Sequence, residues 1–387
     1  MLSRRTAWDL AANALATRVD AARAAGGALL DLAEWNPTRA GLVWDAAELS
    51  ALLADPRLAA YRPSPRGPPE ARAAVAAYLA DRGAQVPPER VLLTASTSEA
   101  YAFLFKLLCD PGDEVLVPAP SYPLLDLLAG LESVRLARYP LRFDGEWHLD
   151  AGAVRAAAGE RTRAVVVISP GNPTGALLAP AELEALDALC AERGLALVGD
   201  EVFADSALRP FPSVLRARRA LAFQLSGLSK VCGLPQIKAG WLAAGGPEQA
   251  VAPALERLEV IADAYLSVSA SAQLALPRLL GRREAFLAPL RARLAENRAA
   301  LADLPRGAPL GPLPGGGGWS AVLRVGETLD EEALCLALLG DGVVVEPGFF
   351  YDFERPGHLV VSLLPEPRAF REGLARIAVR AGRIDYS

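Results

Sequence analysis

Short apolar runs alternate with helical stretches along the middle of the chain. The runs have the length of β-strands and lie at residues 90–93, 114–117, 164–168, 195–198 and 221–225. Helical stretches, such as 98–108 and 180–193, separate them. Strands of a parallel sheet are buried on both faces, so they read as nearly continuous apolar runs joined by helices. The pattern therefore predicts an α/β fold whose large domain has a mostly parallel sheet with helices on both faces.

The flanking residues predict a second, smaller domain. The N-terminal residues indicate a helix, followed by a short extended piece and a turn at 29–41. The last third alternates helices with short strands at 321–325, 343–345 and 358–363. This alternation is typical of a small α+β unit. We predict a large domain at 45–275 and a small domain built from 1–44 and 276–387.

Prolines and glycines mark the expected breaks. The segment YRPSPRG at 61–67 cannot be a helix interior and predicts a loop. A long helical stretch at 246–302 is expected to divide at Pro253 and Pro277. The glycine-rich segment 307–318 is expected to be a flexible boundary.

Composition and charge narrow the choice of partner. Of 387 residues, 52% are hydrophobic and 22% are charged, which is globular composition. The 45 acidic and 40 basic residues give a net charge of -5, so no broad basic surface indicates nucleic acid or anionic lipid. No stretch approaches 18 apolar residues, the length that a membrane helix needs. A small-molecule partner is therefore expected.

The cysteines and histidines give no sign of a metal site. Four single cysteines lack CxxC spacing: Cys109, Cys190, Cys232 and Cys335. Such spacing is typical of reduced thiols in a cytoplasm. Only two histidines are present. Polar residues interrupt the N-terminal segment, which therefore reads as a helix and not as a secretory signal. We predict a cytoplasmic protein without a metal.

Polar residues follow the predicted strands where each strand ends. TASTSEA places Ser96, Thr97 and Ser98 at the start of a helix, where they could hold a phosphate or act as an ordinary N-cap. PAPSYP places the ring of Tyr122 at the end of the next strand. Ligands bind at the carboxyl ends of parallel strands. These residues are therefore expected to meet at one edge of the sheet.

Lysine is scarce in this chain. Only three of the 40 basic residues are lysines, namely Lys106, Lys230 and Lys238. Because the chain otherwise carries its positive charge on arginine, a lysine marks a position where a primary amine is needed. The alternative interpretation is a solvated surface lysine.

Six motifs together resemble a known family. They are YRPSPRG, TASTSEA, PAPSYP, SPGNPTG, GDEVF and LSGLSKVCGLPQIKAGW. In this order and spacing the chain is similar to the pyridoxal-phosphate-dependent class I/II aminotransferases of fold type I. The resemblance runs from about Tyr61 to Trp241, with weaker similarity in the segments EPGFFYDF and HLVVSLLPEP. It implies pyridoxal 5′-phosphate as the cofactor, with an amino donor and a 2-oxo acid as substrates.

The resemblance also implies roles for single residues. Lys230, preceded by Ser229, would form the Schiff base and carry the substrate's α-proton. Asp200 would pair with the pyridine nitrogen, and Asn172 would donate to the phenolic oxygen. Ser96, Thr97 and Ser98 would contact the phosphate, and Tyr122 would stack on the ring. Tyr61 would reach the phosphate in a neighbouring subunit, which implies a homodimer with shared active sites.

Three positions depart from the family's pattern. Phe203 replaces a tyrosine that would share the phenolic oxygen, and Lys238 replaces an arginine on the phosphate. Val360 stands where the arginine that binds the substrate carboxylate is expected. Three other arginines are candidates for that task, although all three could equally be surface charges: Arg39, Arg62 and Arg66.

The missing arginine keeps other reactions open. The leading hypothesis is an aminotransferase with atypical recognition of the substrate carboxylate. A second class would use the same cofactor for β-elimination, decarboxylation or carbon–carbon bond formation. A third possibility is a non-enzymatic sensing module of the same fold, which the absence of a basic DNA-binding extension disfavours.

Overall fold

An eight-stranded sheet lies at the centre of the large domain in the computed structural model, which describes residues 2–11, 13–26, 29–266, 268–304, 310–326 and 330–382. Its strands, with labels counted along the whole chain, are β2 (Val91–Thr94), β3 (Glu114–Ala119), β4 (Arg135–Phe143), β5 (Trp147–Leu149), β6 (Thr162–Ile168), β7 (Ala196–Asp200), β8 (Ala222–Gly227) and β9 (Gly240–Gly245). They lie in the order β2-β9-β8-β7-β6-β3-β4-β5. Adjacent strands from β8 to β4 pair in parallel, whereas β9 and β5 pair antiparallel to their neighbours. The expected mostly parallel sheet is confirmed.

Helices cover both faces of this sheet. They are α2 (Ala46–Leu53), α3 (Pro69–Asp81), α4 (Thr97–Leu108), α5 (Leu124–Leu131), α6 (Ala151–Ala157), α7 (Pro180–Arg193), α8 (Leu228–Val231), α9 (Glu248–Tyr265) and α10 (Ala270–Gly281). Along β7, Val198 packs in a cluster with residues of α4 and α9, whereas its neighbour Leu197 packs with residues of α7. Successive strand side chains point to opposite faces, so a strand covered on both sides must be apolar throughout.

The N-terminal segment joins the last third of the chain in the smaller domain. Its strands are β1 (Leu30–Asp31), β10 (Gly311–Leu313), β11 (Ser320–Arg324), β12 (Val343–Val344), β13 (Glu346–Pro347) and β14 (His358–Ser362). Its helices are α1 (Ala14–Ala24), α11 (Glu284–Ala302), α12 (Glu331–Gly340) and α13 (Pro367–Gly382). β1 pairs in parallel with β12, and β10-β11-β14-β13 form an antiparallel sheet. The expected α+β unit is confirmed, while its boundary at 275/276 stays a prediction, and α10 spans that position.

Two expectations about breaks are wrong. Pro253 and Pro277 lie inside α9 and α10, and the helices end elsewhere, at the left-handed Leu266 and at Arg282. A proline removes one backbone donor but does not end a helix whose apolar face remains packed. The glycine-rich segment is the second case. Its residues 307–309 lie outside the described residues, but the rest forms β10 and a tightly packed turn.

The four glycines of that turn dock against the loop that carries Asn172. The Gly316 N–H donates to the Gly175 oxygen at 2.8 Å, and the Leu208 N–H donates to the Gly316 oxygen at 2.8 Å. A Cβ added at Gly315 would lie 2.5 Å from the Thr174 oxygen. Glycine is needed here because two backbones approach each other more closely than a side chain permits. The turn therefore fixes one domain against the other.

Three earlier expectations concern membrane helices, thiols and metal ligands. Among the described helices, none combines the length and the apolar character needed to cross a bilayer. The four cysteines are free thiols. Among the same residues, no cluster of His, Cys, Asp and Glu could hold a metal ion.

Gly315→Ala should lower the free energy of unfolding by about 1–3 kcal/mol, because the new methyl group would overlap the Thr174 oxygen. Urea unfolding monitored by tryptophan fluorescence measures this change. Gly311→Ala is the matched control, since a Cβ there meets no atom within 4 Å. Equal losses in the two variants would show that the close contact does not stabilise the fold.

Candidate active site

A cavity of about 430 Å³, the site pocket, lies at the carboxyl ends of the parallel strands. β7 ends at Asp200, and α8 directly after β8 carries Lys230. Nine of the residues singled out in the sequence line this cavity: Ser96, Thr97, Ser98, Tyr122, Asn172, Asp200, Phe203, Ser229 and Lys230. Their side chains therefore meet at one edge of the sheet, as expected.

The turn after β8 aims Lys230 into the site pocket. The Leu228 N–H donates to the Ala239 oxygen at 2.9 Å, and Leu228 and Val231 are fully buried. A Cβ on Gly227 would lie 3.0 Å from the Ala239 oxygen, so the chain turns there through a glycine. With the two apolar neighbours anchored in the core, the lysine between them faces the cavity.

The protein around Lys230 favours its neutral amine. Desolvation lowers the pKa of Lys230 from 10.5 to about 8, while the negative charge of Asp200 opposes this shift. Lys230 Nζ lies 4.6 Å from the ring centre of Trp319 and 5.3 Å from that of Phe203. A neutral amine has the free electron pair that a nucleophile or a base needs. With its pKa lowered to about 8, Lys230 is neutral in a larger fraction of molecules near neutral pH than an ordinary lysine would be.

Asp200 is a carboxylate with few partners. Its oxygens accept the Tyr101 hydroxyl at 3.0 Å and the Val202 N–H at 3.3 Å. Desolvation raises its pKa to about 6, against the opposing effects of Val202, Tyr101 and Lys230. A carboxylate so poorly solvated is stabilised by a cation or a protonated ring nitrogen beside it.

Helix α4 begins at the wall of the site pocket. The Ser96 hydroxyl accepts the Glu99 N–H at 3.1 Å and so caps the helix, which is the ordinary role considered above. Thr97 and Ser98 follow in the first turn, where backbone N–H groups lack acceptors within the helix. The cap and the anion-binding interpretation are compatible. The Ser96 cap uses one backbone N–H and leaves other N–H groups of the first turn facing the cavity.

Two candidates for phosphate contact lie outside the site pocket of this chain. Lys238 is exposed and adopts a left-handed backbone conformation with φ 59°, one residue before Ala239 of the pocket wall. Tyr61 is 82% exposed, and together with Arg62 it lines a different cavity of about 390 Å³. The role of Lys238 stays a prediction, as does that of Tyr61 toward a neighbouring subunit.

The remaining arginine candidates are also outside the site pocket. Arg39 is exposed and lies 3.8 Å from Glu34. Arg66 Nη1 lies 3.7 Å from Glu259, while its Nε and Nη2 are buried with no hydrogen-bond partner among the described residues. The described chain alone brings neither of them to the substrate end of the cavity, so their role in substrate binding stays a prediction.

Sequence reasoning missed five residues that build the site pocket: Trp35, Tyr101, Trp319, Glu346 and Tyr351. Glu346 accepts the Trp35 Nε1–H at 3.1 Å through one oxygen and the Tyr351 hydroxyl through the other. Desolvation raises its pKa, and these two hydrogen bonds oppose the rise. The motif EPGFFYDF contained the signal for Glu346 and Tyr351, whereas nothing near Trp319 in the sequence marked it.

Solved structures share this fold. The alanine aminotransferase from Pyrococcus furiosus superposes with a TM-score of 0.87 at 23% identity, covering 99% of this chain and 100% of that one. At this identity the match concerns the fold alone.

Relatives with curated names differ in the reaction their names state. The chain is 31% identical over 216 residues to the glutamate-pyruvate aminotransferase AlaA of Escherichia coli strain K12, which is 54% of this chain and 53% of that protein. It is also 31% identical over 182 residues to the S-alkyl-thiohydroximate lyase SUR1 of Arabidopsis thaliana, 46% of this chain and 39% of that protein. The matched stretch thus spans about half the length of the first relative and less of the second.

Asp200→Asn should lower the pKa of Lys230 below 8 by about one pH unit, because a negative neighbour favours the protonated amine. Only three lysines are present, so reductive ¹³C-methylation of the cofactor-free protein gives a simple NMR spectrum for titration. The Lys230→Arg variant lacks the methylated Lys230, so the NMR signal that disappears from its spectrum is that of Lys230. Asp126→Asn, which removes an exposed acid paired with Arg138, is the control. A Lys230 signal that titrates at the same pH in the Asp200 variant would contradict the pairing.

The family is shown by a match over most of the chain. The sequence model described as aminotransferase class I and II matches residues 36–377. Members of this family use pyridoxal phosphate, and the site pocket fits that group. Lys230 offers an amine for its aldehyde, Asp200 a carboxylate for its ring nitrogen, and the first turn of α4 donors for its phosphate. The agreement of motifs, fold and site leads to one conclusion: the chain belongs to the class I and II aminotransferases.

Proposed function

We propose that this protein is a pyridoxal-phosphate-dependent aminotransferase that moves an amino group from an amino donor to a 2-oxo acid. The observation that carries the proposal is the presence of Lys230 and Asp200 in one cavity, where their charges interact and the pKa of the lysine is lowered to about 8. When bound, the cofactor supplies a ring that withdraws electrons from the substrate's α-carbon. The protein supplies the groups that hold this ring and move the proton.

Lys230 would move that proton. Its Nζ would take the proton from the α-carbon of a bound amino donor, hold it, and give it up again within the cavity. An amine with a pKa of about 8 is suited to both steps, because it neither holds nor releases the proton too strongly near neutral pH.

The other residues would hold the cofactor. The Asp200 carboxylate would keep the ring nitrogen protonated, and Tyr122 would cover one face of the ring. Asn172 would donate to the phenolic oxygen. Phe203, 9% exposed and packed on Trp319 with ring centres 5.4 Å apart, has no hydroxyl to add a second donor. We infer that the phenolic oxygen has one protein donor fewer here than a tyrosine would give.

A second candidate function is a lyase reaction at the same site. The name of the Arabidopsis relative states such a reaction. Val360 is fully buried and cannot donate a hydrogen bond to a substrate carboxylate. A substrate held differently could expose a bond other than Cα–H to the ring, and the bond that stands perpendicular to the ring is the one that breaks.

We also infer a homodimer with shared active sites in the cytoplasm. The exposure of Tyr61 supports the dimer, because a large aromatic side chain that is 82% exposed is suited to contact a second copy. The four free thiols support a reducing compartment.

Lys230→Ala should lower the amino-transfer rate about a thousandfold or more, because the variant lacks the amine that moves the proton. The measurement is conversion of pyridoxal phosphate to pyridoxamine phosphate by chromatography, across a panel of amino donors. Lys106→Ala is the control, since Lys106 pairs with Glu132 away from the site pocket. Release of ammonia and a 2-oxo acid without pyridoxamine phosphate would identify the lyase instead.

Mixing Lys230→Ala with Tyr61→Ala subunits tests the shared site. Random exchange between two-fold symmetric dimers would restore about a quarter of the wild-type sites, because half of the dimers are hybrids with one intact site each. Activity is measured after the subunits are unfolded and refolded together, with each variant refolded alone as the control. Activity no higher than the mean of the two variants would place Tyr61 and Lys230 in separate functions.

A further inference from the structure

Glu346 is a charged residue of the site pocket that the proposed function does not use. Among the described residues that line the cavity, the charged ones are Asp200, Lys230 and Glu346. The first two act on the cofactor. Glu346 comes from β13 of the small domain and not from the edge of the large sheet. Glu346 thus lines the same cavity as the two groups assigned to the cofactor, but from the other domain.

The neighbours of Glu346 leave its charge unneutralised. Its two hydrogen-bond donors, Trp35 and Tyr351, are both uncharged. Arg23 acts on it only from a distance, because the Arg23 guanidinium is engaged with Asp31 at 2.6 Å. A carboxylate has about four acceptor positions, and the described hydrogen bonds use two of them. Glu346 can therefore accept further hydrogen bonds from a ligand.

The sheet register places an apolar residue of β14 opposite Glu346. Glu346 is directly opposite Val360, so their side chains lie on the same face of the sheet. Val360 in turn pairs with Val322 of β11, another apolar residue. Both valines are buried and lie outside the lining of the cavity, so neither offers a positive charge or a hydrogen-bond donor beside Glu346. A substrate carboxylate placed next to Glu346 would meet a like charge.

Aromatic rings surround the same carboxylate. Trp35 and Tyr351 contact it directly, and Tyr122 is close enough that the Glu346 charge adds to the desolvation that raises the pKa of its phenol. The Trp35 N–H and the Tyr351 O–H both point at this carboxylate, so neutral donors hold it in place. A carboxylate held in this way can form a charge-assisted hydrogen bond with an ammonium or a guanidinium group.

We propose that Glu346, with Trp35, Tyr122 and Tyr351, selects amino donors that carry a second cationic group at the end remote from the reacting amine. The substrate class is thus a diamine, a guanidino amine or a basic amino acid. The proposal rests on the proposed function for the reaction itself, but the binding of a cation at Glu346 is independent of it.

The test compares pairs of donors that differ only in the remote cation. They are putrescine with n-butylamine, and L-ornithine with L-norvaline. Wild-type holoenzyme should convert the cationic member of a pair at least about tenfold more efficiently in kcat/KM, the ratio that one charge-assisted hydrogen bond supplies. The pair that shows the larger preference tells whether the substrate is a diamine or an amino acid.

Two substitutions separate charge from structure. Glu346→Gln keeps groups that can bond to Trp35 and Tyr351 but lacks the charge, so the ratio should fall to near one. Glu346→Asp keeps the charge and should hold the ratio above one. Glu354→Gln removes an exposed acid outside the site pocket and is the matched control. A ratio that is unchanged in Glu346→Gln overturns the proposal.

A binding measurement tests whether a cation binds at Glu346 separately from whether the protein transfers amino groups. Ethylguanidinium and N-ethylurea have similar shapes and differ in charge, and their binding to the holoenzyme is measured by calorimetry. Wild type should bind the cation, and Glu346→Gln should weaken that binding at least about tenfold while N-ethylurea is unaffected. If the cation binds in this way but no donor yields pyridoxamine phosphate, the aminotransferase proposal fails alone. If donors react and neither pair shows a preference, the proposal for Glu346 fails alone.

Discussion

Lys230 and Asp200 attract each other at the ends of neighbouring strands β8 and β7, in a cavity whose walls keep most water away. The directions of their pKa shifts show which effect is larger. Attraction alone would raise the pKa of the lysine and lower that of the aspartate, yet the structure gives about 8 and about 6. Desolvation therefore outweighs the attraction. The fold holds two groups that would each be more stable in water, and their reactivity follows from this constraint.

The sheet and the glycine turn supply the rigidity that this pair needs. β7 and β8 are central strands, covered on both faces, so packing from both sides holds their ends in place. The glycines at 315–318 press the small domain against the loop of Asn172. The same turn leads into Trp319, whose ring lies over the amine of Lys230. The two domains are thereby joined at the point where the chemistry takes place.

The large domain could be predicted from the sequence because its signals are local. An apolar run of strand length followed by a polar residue describes β6 with its loop, and β7 with Asp200, without knowledge of any distant contact. β9 was missed because GWLAAG lacks β-branched residues. The prolines of α9 and α10 were misjudged because packing of the apolar face outweighs the loss of one donor. Glu346 was missed for a different reason: its meaning depends on Trp35, a partner that no local pattern connects to it.

The hydrogen bond between Trp35 and Glu346 joins residues 311 positions apart. β1 likewise needs β12 before it can pair. On a ribosome the large sheet would be complete while the end of the cavity that contains Glu346 was still being synthesised. Such a nascent chain would already have the amine and the carboxylate for the cofactor, but it would not yet have Glu346, the residue proposed to select substrates. The cofactor site and the proposed substrate end of the cavity thus come from parts of the chain that are made at different times.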